Sequence, residues 1–434
     1  MTMVDIEKAF LEWLTSNGAI ISHKIALKDY SSENAGRGVV ATSDIEENEL
    51  LFEIPRRLLL SSKTSQLAST PVGEKLKDLS GWGPLILCMM YESQRDDSLW
   101  KPYFDILPTH FSTPMFWADE ELEELKGTSI ADRIGKKEAE QMFVESLLPI
   151  IKAHPDLFDQ EKSNVDLFHR MGSLIMAYSF HDQDPNSSAS KDDDDEEVDS
   201  EDDEEDAGEG DIAMVPMADL LNHKTGYNNA RLFYEPHALR MLSVGRIPTG
   251  TQIYNTYGDL GSAELLRKYG FSDDVGNPFD IVLLAGDQVA EICCPEEGER
   301  EDRIEFLLEE EVLDDYFEIG SDGKLPPELI VTVKLLLAPK SEFKKMRKAE
   351  KLPKPKLDPQ ILPILRQILT KRMEQYNTTI EKDEEIVNSK ITQPNLYHAA
   401  VVRLGEKKIL LRALEQLKEE DVVESENTKR RKIE

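Results

Sequence analysis

Two stretches of this chain carry residue types that could do chemistry: Asp219-Leu220-Leu221-Asn222-His223, and Asn255-Thr256-Tyr257-Gly258 running on to Tyr269-Gly270-Phe271. Each sits beside a segment of β texture and puts polar groups where packing alone favours apolar ones. A buried amide such as Asn222 must find several hydrogen-bond partners. An Asn-His pair therefore suits an adenine edge, a ribose or an amino-acid zwitterion. Tyr257, between Thr256 and Gly258 just after a β-run, is placed to offer its hydroxyl to a reacting amine. Taken singly, each feature has a plainer reading. A lone His223 is usually a satisfied core histidine, and Tyr234, Tyr254 and Tyr269 have the spacing of ordinary core aromatics.

Gly36-Arg37-Gly38-Val39-Val40-Ala41 meets the letter of the dinucleotide fingerprint. That motif needs a helix opening at the glycines, whereas residues 39–42 are β-branched and lead to a turn and another strand. A glycine-flattened strand edge, over which a ligand can lie close to the backbone, fits the context better. A tight turn or bulge fits it equally.

The elements that must position these residues can be outlined from periodicity. Residues 5–16 read as an amphipathic helix with Asp5 as cap, Ile6, Phe10, Trp13 and Leu14 on one face, and Gly18 as terminator. Residues 38–42 and 49–55 read as strands separated by a polar turn at 44–48. From about 76 to 180 the texture is helical, with helices expected over 85–93, 139–151 and 165–180. The acid-dominated segment 183–210 lacks the apolar residues needed to offset ordering entropy and reads as a disordered surface loop. β-like runs follow at 213–217, 232–234, 240–244 and 252–254, then a helix at 263–269 and one more β-like run at 279–284. Helices are expected at 303–313, 329–337, 361–376 and 397–417, with a Lys- and Pro-rich connector over 339–359.

Composition narrows the function classes. At 434 residues the chain is expected to hold two or three domains. Its apolar runs, such as 85–90 and 281–285, fall short of the roughly 20 residues a membrane span needs, and no secretory signal is visible. Three cysteines cannot build a disulfide framework, which points to the reducing cytosol or nucleus. With no CxxC and no HExxH, no metal is expected. Residues 192–211 hold fifteen acidic residues and no basic one, and removing those fifteen from the net charge of −34 leaves −19. Direct nucleic-acid binding is disfavoured and a basic protein partner favoured. The run Lys429-Arg430-Arg431-Lys432 fits a nuclear localisation patch, or chance.

In combination and in order, these pieces resemble a SET-domain protein lysine methyltransferase of the Rubisco large-subunit methyltransferase type, nearest the nuclear and ribosomal-protein lysine methyltransferase branch. Asn34-Ala35-Gly36-Arg37-Gly38 resembles the N-terminal cofactor loop. Ser98-Leu99-Trp100-Lys101-Pro102-Tyr103, with Leu107-Pro108 and Met115-Phe116-Trp117, resembles the helical insert. Asp219 to His223 resembles the Asn-His motif, and Tyr257-Gly258 with Tyr269-Gly270-Phe271 resembles the final tyrosine motif.

The resemblance implies an α+β fold: a β-rich SET fold interrupted by a helical insert and followed by an all-helical C-terminal substrate-binding domain. The implied boundaries are 1–76, 77–182 for the insert, 183–210 for the acidic loop, 211–278 for the second SET part, 279–420 for the helical domain and 421–434 for a disordered basic-ended tail. It implies S-adenosylmethionine as cofactor, contacted by Ala35, Gly36, Arg37, Met176, Asn222, His223 and Tyr269. Tyr257 is implied as the catalytic tyrosine, and Trp117, Ser179, Asp219 and Tyr234 as substrate contacts. The helix leading to the Asn-His segment departs from the Rubisco-type pattern. It reads Met176-Ala177-Tyr178-Ser179-Phe180 where those enzymes carry arginines, so charged contacts there do not transfer. The expected acceptor is a basic protein, a ribosomal protein first, methylated by a monomer in the nucleus and also the cytoplasm. A histidine methyltransferase on the same fold and a non-catalytic nuclear adaptor are the competing readings.

Overall fold

The computed structural model describes residues 3–31, 35–182, 211–389 and 393–431, with the backbone alone at 211 and 421–431. The chain divides into two compact units, Met1–Phe111 with Gly135–Asp259, and Ser112–Ile134 with Leu260–Glu434. Residues 112–134, which lie within the stretch read as one helical insert, thus belong to the second unit. The acidic segment 183–210 lies outside the described residues.

The first unit is built on small antiparallel sheets. One has the order β1 (Ile20–Ile21), β4 (Leu50–Pro55), β8 (Ala238–Ser243), β7 (Ala230–Tyr234). A second has the order β2 (Ile25–Asp29), β3 (Arg37–Ala41), β9 (Gln252–Ile253). β5 (Ser179–Asp182) pairs with β6 (Asp211–Met214). The strand after Gly36-Arg37-Gly38 runs on as β3, which removes the dinucleotide reading. Strand β2, unmarked in the sequence, supplies its hairpin partner.

Helix Met3–Ser16 buries Phe10, Trp13 and Leu14. It ends where Gly18 takes φ 83° and the Ala19 N–H returns to the Leu14 carbonyl at 3.0 Å, a left-handed C-terminal cap open to glycine at no steric cost. Helix Gly83–Ser93 is apolar from Leu85 to Met90 and buried on to Glu92, whose carboxylate accepts from Ser65 at 2.8 Å and Ser98 at 2.6 Å, as an element inside a core requires. Helix Val165–Tyr178 starts on the Asn164 side chain, which accepts from the Leu167 N–H. It stops two residues earlier than its periodicity predicts, because Ser179 and Phe180 pair with Met214 and Ala213 in the β5–β6 ladder.

The second unit is predominantly helical among the described residues, with an antiparallel pair, β10 (Ile281–Ala285) and β11 (Tyr316–Gly320). Helices Glu297–Glu309, Pro327–Leu337, Leu362–Met373 and Pro394–Arg431 correspond to predicted segments, while Ile380–Asn388 does not. The expected connector contains a helix, Lys340–Ala349, whose Phe343 is buried beside Phe306. The stretch read as a disordered tail continues the last helix to Arg431. No glycine or proline follows Gly405 to stop it, and propagating a helix costs far less than nucleating one.

One face of that last helix buries charge. Asp383 accepts from Arg403 at 2.8 Å and Lys407 at 2.6 Å, and Glu406 from Tyr376 at 2.6 Å and Arg372 at 3.2 Å. Such groups are tolerated inside only when every charge is paired. Among the described residues no helix is long and apolar enough to cross a membrane.

Candidate active site

Where the second and third β-strands meet, the Tyr30 N–H donates to the Gly36 carbonyl at 2.6 Å and the Ala35 N–H to the Tyr30 carbonyl at 3.2 Å. Gly36 needs its residue type, since its φ is 62°, and the position a Cβ would take has no atom within 4 Å. Ala35 and Gly36 are exposed. The Arg37 guanidinium is engaged elsewhere, with Glu7 at 3.1 Å and the Ile106 carbonyl at 2.9 Å. Arg37 can therefore offer a ligand its backbone rather than its charge.

Gly38 is buried in β3 for a different reason. A Cβ there would stand 2.6 Å from Gln252 Nε2 and 2.7 Å from Asn222 Nδ2. Two side-chain amides thus lie directly on the strand, a close approach only glycine permits. Both amide nitrogens are buried and have no hydrogen-bond partner among the described residues. Unmet buried donors are costly, and an acceptor-rich ligand would satisfy them. S-adenosylmethionine offers purine nitrogens, ribose oxygens and a carboxylate, so this cradle of open backbone and unmet donors fits it.

Asn222, His223 and Tyr257 are brought together by pairing between two segments distant in sequence. Asn222 bridges Tyr254 in parallel register, and the Asn255 N–H donates to the Asn222 carbonyl at 3.1 Å. The Tyr257 N–H donates to His223 Nδ1 at 3.1 Å, and the two rings stack with centroids 5.0 Å apart. Because Nδ1 accepts, the neutral imidazole carries its proton on Nε2, which reaches Thr225 Oγ1 at 3.2 Å. The Tyr257 hydroxyl donates to the Leu221 carbonyl at 3.0 Å. Buried Asn229 locks the frame, donating to the Gln252 carbonyl at 3.0 Å and accepting from the Tyr254 N–H at 2.8 Å.

Asp219 is placed inside the protein, its carboxylate accepting from the Tyr103 hydroxyl, and Tyr103 stacks on Trp13 and Phe10. Burial pushes the Asp219 carboxyl up to about 7 against the opposing pull of the Tyr103 hydrogen bond. Burial also pushes Tyr178 up to about 12 and Tyr103 well above the phenol range. Preceding Asp219, Met217 holds φ 82°, a strained backbone that persists only where its surroundings over-determine it.

The other sequence-derived residues are more scattered. Met176 is half-buried in the last turn of its helix, and Ser179 opens β5 opposite Met214. Tyr234 ends edge strand β7 near the Arg56–Asp182 ion pair, with burial pushing its hydroxyl up to about 12. Trp117 and Tyr269 belong to the second unit. There Trp117 is core, packed with Leu125, Ile130 and Leu266 and donating its indole N–H to the Ser112 carbonyl at 2.9 Å. Tyr269 closes helix Ser262–Tyr269, tilted against Phe271 at 6.3 Å. Sequence reasoning missed Gln252, Asn229, Tyr103 and Tyr178. For Gln252 the available signal was an amide inside a β-run.

A SET-domain family model matches residues 36–258, just over half the chain. A model described as Rubisco LSMT substrate-binding matches 295–410. The chain is 32% identical to the N-lysine methyltransferase SETD6 of Bos taurus over 94% of each protein. It is 33% identical to the Ribosomal lysine N-methyltransferase 4 of Saccharomyces cerevisiae, over 75% of this chain and 70% of that one. A crystal structure of the SET domain of LSMT bound to lysine and AdoHcy superposes with a TM-score of 0.73 at 22% identity, over 97% of this chain and 93% of that one. That likeness establishes the fold. The SET match, the substrate-binding match and the near full-length identity to lysine methyltransferases agree: the chain belongs to the SET-domain family, as an S-adenosylmethionine-dependent protein lysine N-methyltransferase.

Proposed function

We propose that Asn222, His223 and the backbone around Gly36 hold the methyl donor, that Tyr257 orients the acceptor amine, and that the acceptor is a lysine of a basic protein, a ribosomal protein first. S-adenosylmethionine, when bound, supplies a methyl group activated by its sulfonium charge. The chain's part is to present a neutral amine in line with that methyl. A lysine is an ammonium below about pH 10.4, so the site must favour the neutral form by excluding water and by positive charge nearby.

The observation that carries this reading is the direction of the Tyr257 hydroxyl. Its proton is given to the Leu221 carbonyl, so toward an amine the oxygen acts as acceptor. Accepting an amine N–H fixes the rotation of the amine and thereby the direction of its lone pair. His223 supports this from behind, holding the Tyr257 backbone and stacking on its ring.

The choice of a basic acceptor is supported by the charge of −34, and a ribosomal protein by the name of the yeast relative. A nuclear location, with the cytoplasm as a second site, belongs to the same reading and rests on the Lys429-Arg430-Arg431-Lys432 run. The enzyme is expected to act as a monomer and without nucleic acid.

Incubation with isotopically labelled cofactor and ribosomal subunits tests the proposal. One or more ribosomal proteins should be labelled on lysine, and Tyr257→Phe should lower kcat by about 10²-fold while leaving S-adenosylhomocysteine binding unchanged. Full labelling by Tyr257→Phe ends the assigned role. Label on histidine, or on no ribosomal protein, ends the substrate reading.

A further inference from the structure

We infer that a groove contained wholly in the second unit docks an arginine- or lysine-rich segment of the protein substrate. The inference rests on the proposed basic acceptor and names where its flanking charge is read. The groove has a volume of about 580 Å³ and is formed by the loop at 127–133, the end of β10, and the turn leading into β11.

Four carboxylates stand on it, those of Asp132, Asp287, Asp314 and Asp315. All four residues are exposed, and none forms an ion pair among the described residues. The two arginines lining the groove do not offset them. Arg133 is paired with Glu264 at 2.9 Å and Arg372 with Glu406 at 3.2 Å, and Arg372 also donates to the Leu283 and Gly127 carbonyls. The groove therefore presents unspent negative charge.

Two further observations point to a ligand. The Ser129 side chain lines the groove, nine-tenths buried, with its hydroxyl lacking a partner among the described residues. A buried hydroxyl left so is costly, and a donor from a bound segment would satisfy it. Leu308 and Tyr316, 55% and 46% exposed, give the same groove an apolar flank. That combination matches long basic side chains, which lay an aliphatic stem on apolar surface and extend a charged head beyond it.

The backbone bearing two of the four carboxylates is also held in place. The Gly286 N–H donates to the Asp315 carbonyl at 2.8 Å, and a Cβ on Gly286 would stand 2.4 Å from the Asp314 carbonyl oxygen. The turn carrying both aspartates is thus fastened to the end of β10. Holding the charges in place beforehand lowers the ordering cost of binding.

The test uses the full chain and a fluorescein-labelled alternating arginine–serine dodecapeptide, which has no lysine for the methyl-transfer site to retain. Anisotropy at low ionic strength gives its affinity. Asp314→Asn with Asp315→Asn should weaken binding about tenfold, and so should Asp132→Asn with Asp287→Asn, as expected for removing close complementary charges. The charge-matched control Glu415→Gln with Glu419→Gln, on the exposed face of the last helix, should change it less than about twofold. With extracted ribosomal proteins as acceptor, the groove variants should raise KM and leave kcat in place.

Equal affinity for wild type and groove variants overturns the proposal. So does a control as weak as the groove variants, which reduces the effect to diffuse charge. Binding that appears only after deletion of residues 429–432 overturns it too, because the occupant is then the chain's own basic run. If the wild type labels no ribosomal protein, the acceptor reading fails, while the peptide measurement still decides the groove.

Discussion

At the scale of single residues, the site combines buried amides with unmet donors, which we assign to the cofactor, with a carboxyl bonded into the fold. Asn222 and Gln252 hold buried amide nitrogens without partners among the described residues. Asp219 is bonded inward to Tyr103 and raised by burial from 3.8 to about 7. The sign of the resulting pH dependence follows from which state holds the proton. Between about pH 4 and pH 7 the folded Asp219 keeps a proton that the unfolded chain has lost. Stability therefore falls as pH rises through that window and stays low above it, by an amount on the order of a few kcal/mol. Asp219→Asn keeps an acceptor for Tyr103 and removes the titration. Its melting temperature relative to wild type should be higher at pH 8 than at pH 5, and a difference that does not vary with pH would show that the carboxyl does not titrate in this range.

At the scale of elements, the decisive arrangement is strand β3 beneath the amides of Asn222 and Gln252. Gly38→Ala places a methyl 2.6 to 2.7 Å from both amide nitrogens. These are the ends of side chains, which can swing aside, so the strand should persist while the amides lose their aim. We expect S-adenosylhomocysteine to bind about tenfold more weakly, roughly the worth of one hydrogen bond, with the melting temperature little changed. Calorimetry beside thermal unfolding separates this from general damage. Unaltered affinity would detach the amides from the cofactor.

At the scale of the whole molecule, charge acts in two ways. Inside the second unit, Asp383 pairs with both Arg403 and Lys407, all three at most 1% exposed, and Glu124 shares Arg403 at 2.9 Å. Asp383→Ala leaves buried Lys407 without a carboxylate and Arg403 with Glu124 alone, and chemical denaturation should show a loss of about 3–5 kcal/mol. On the surface, the charge of −34 should draw in a basic substrate. Raising salt shortens the Debye length from about 10 Å at 0.1 M, so KM for a basic protein should rise with ionic strength while kcat holds. A salt-independent KM would remove electrostatics from substrate capture.

Legibility in the sequence followed the range of the forces involved. Helices such as Val165–Tyr178 and Pro327–Leu337 announced themselves because their apolar spacing is local. Helix Lys340–Ala349 did not, since its lysines mask a single buried phenylalanine. The assignment of residues 112–134 to the second unit was invisible because contacts distant in sequence make it. Trp117, for example, packs on Leu266 and Val402.

The sequence by itself determined the reaction class. Asn222-His223 and Tyr257-Gly258 each have a plainer reading alone, and it is their order with Gly36 to Gly38 and the 98–117 segment that carries the family resemblance. Only the tertiary structure decided how they are arranged. Pairing of Asn222 with Tyr254 sets His223 against the Tyr257 ring, and the Leu221 carbonyl takes the proton of the tyrosine hydroxyl. The same packing turns Asp219 inward to Tyr103. Direction and burial arise from segments far apart along the chain, and no local pattern encodes them.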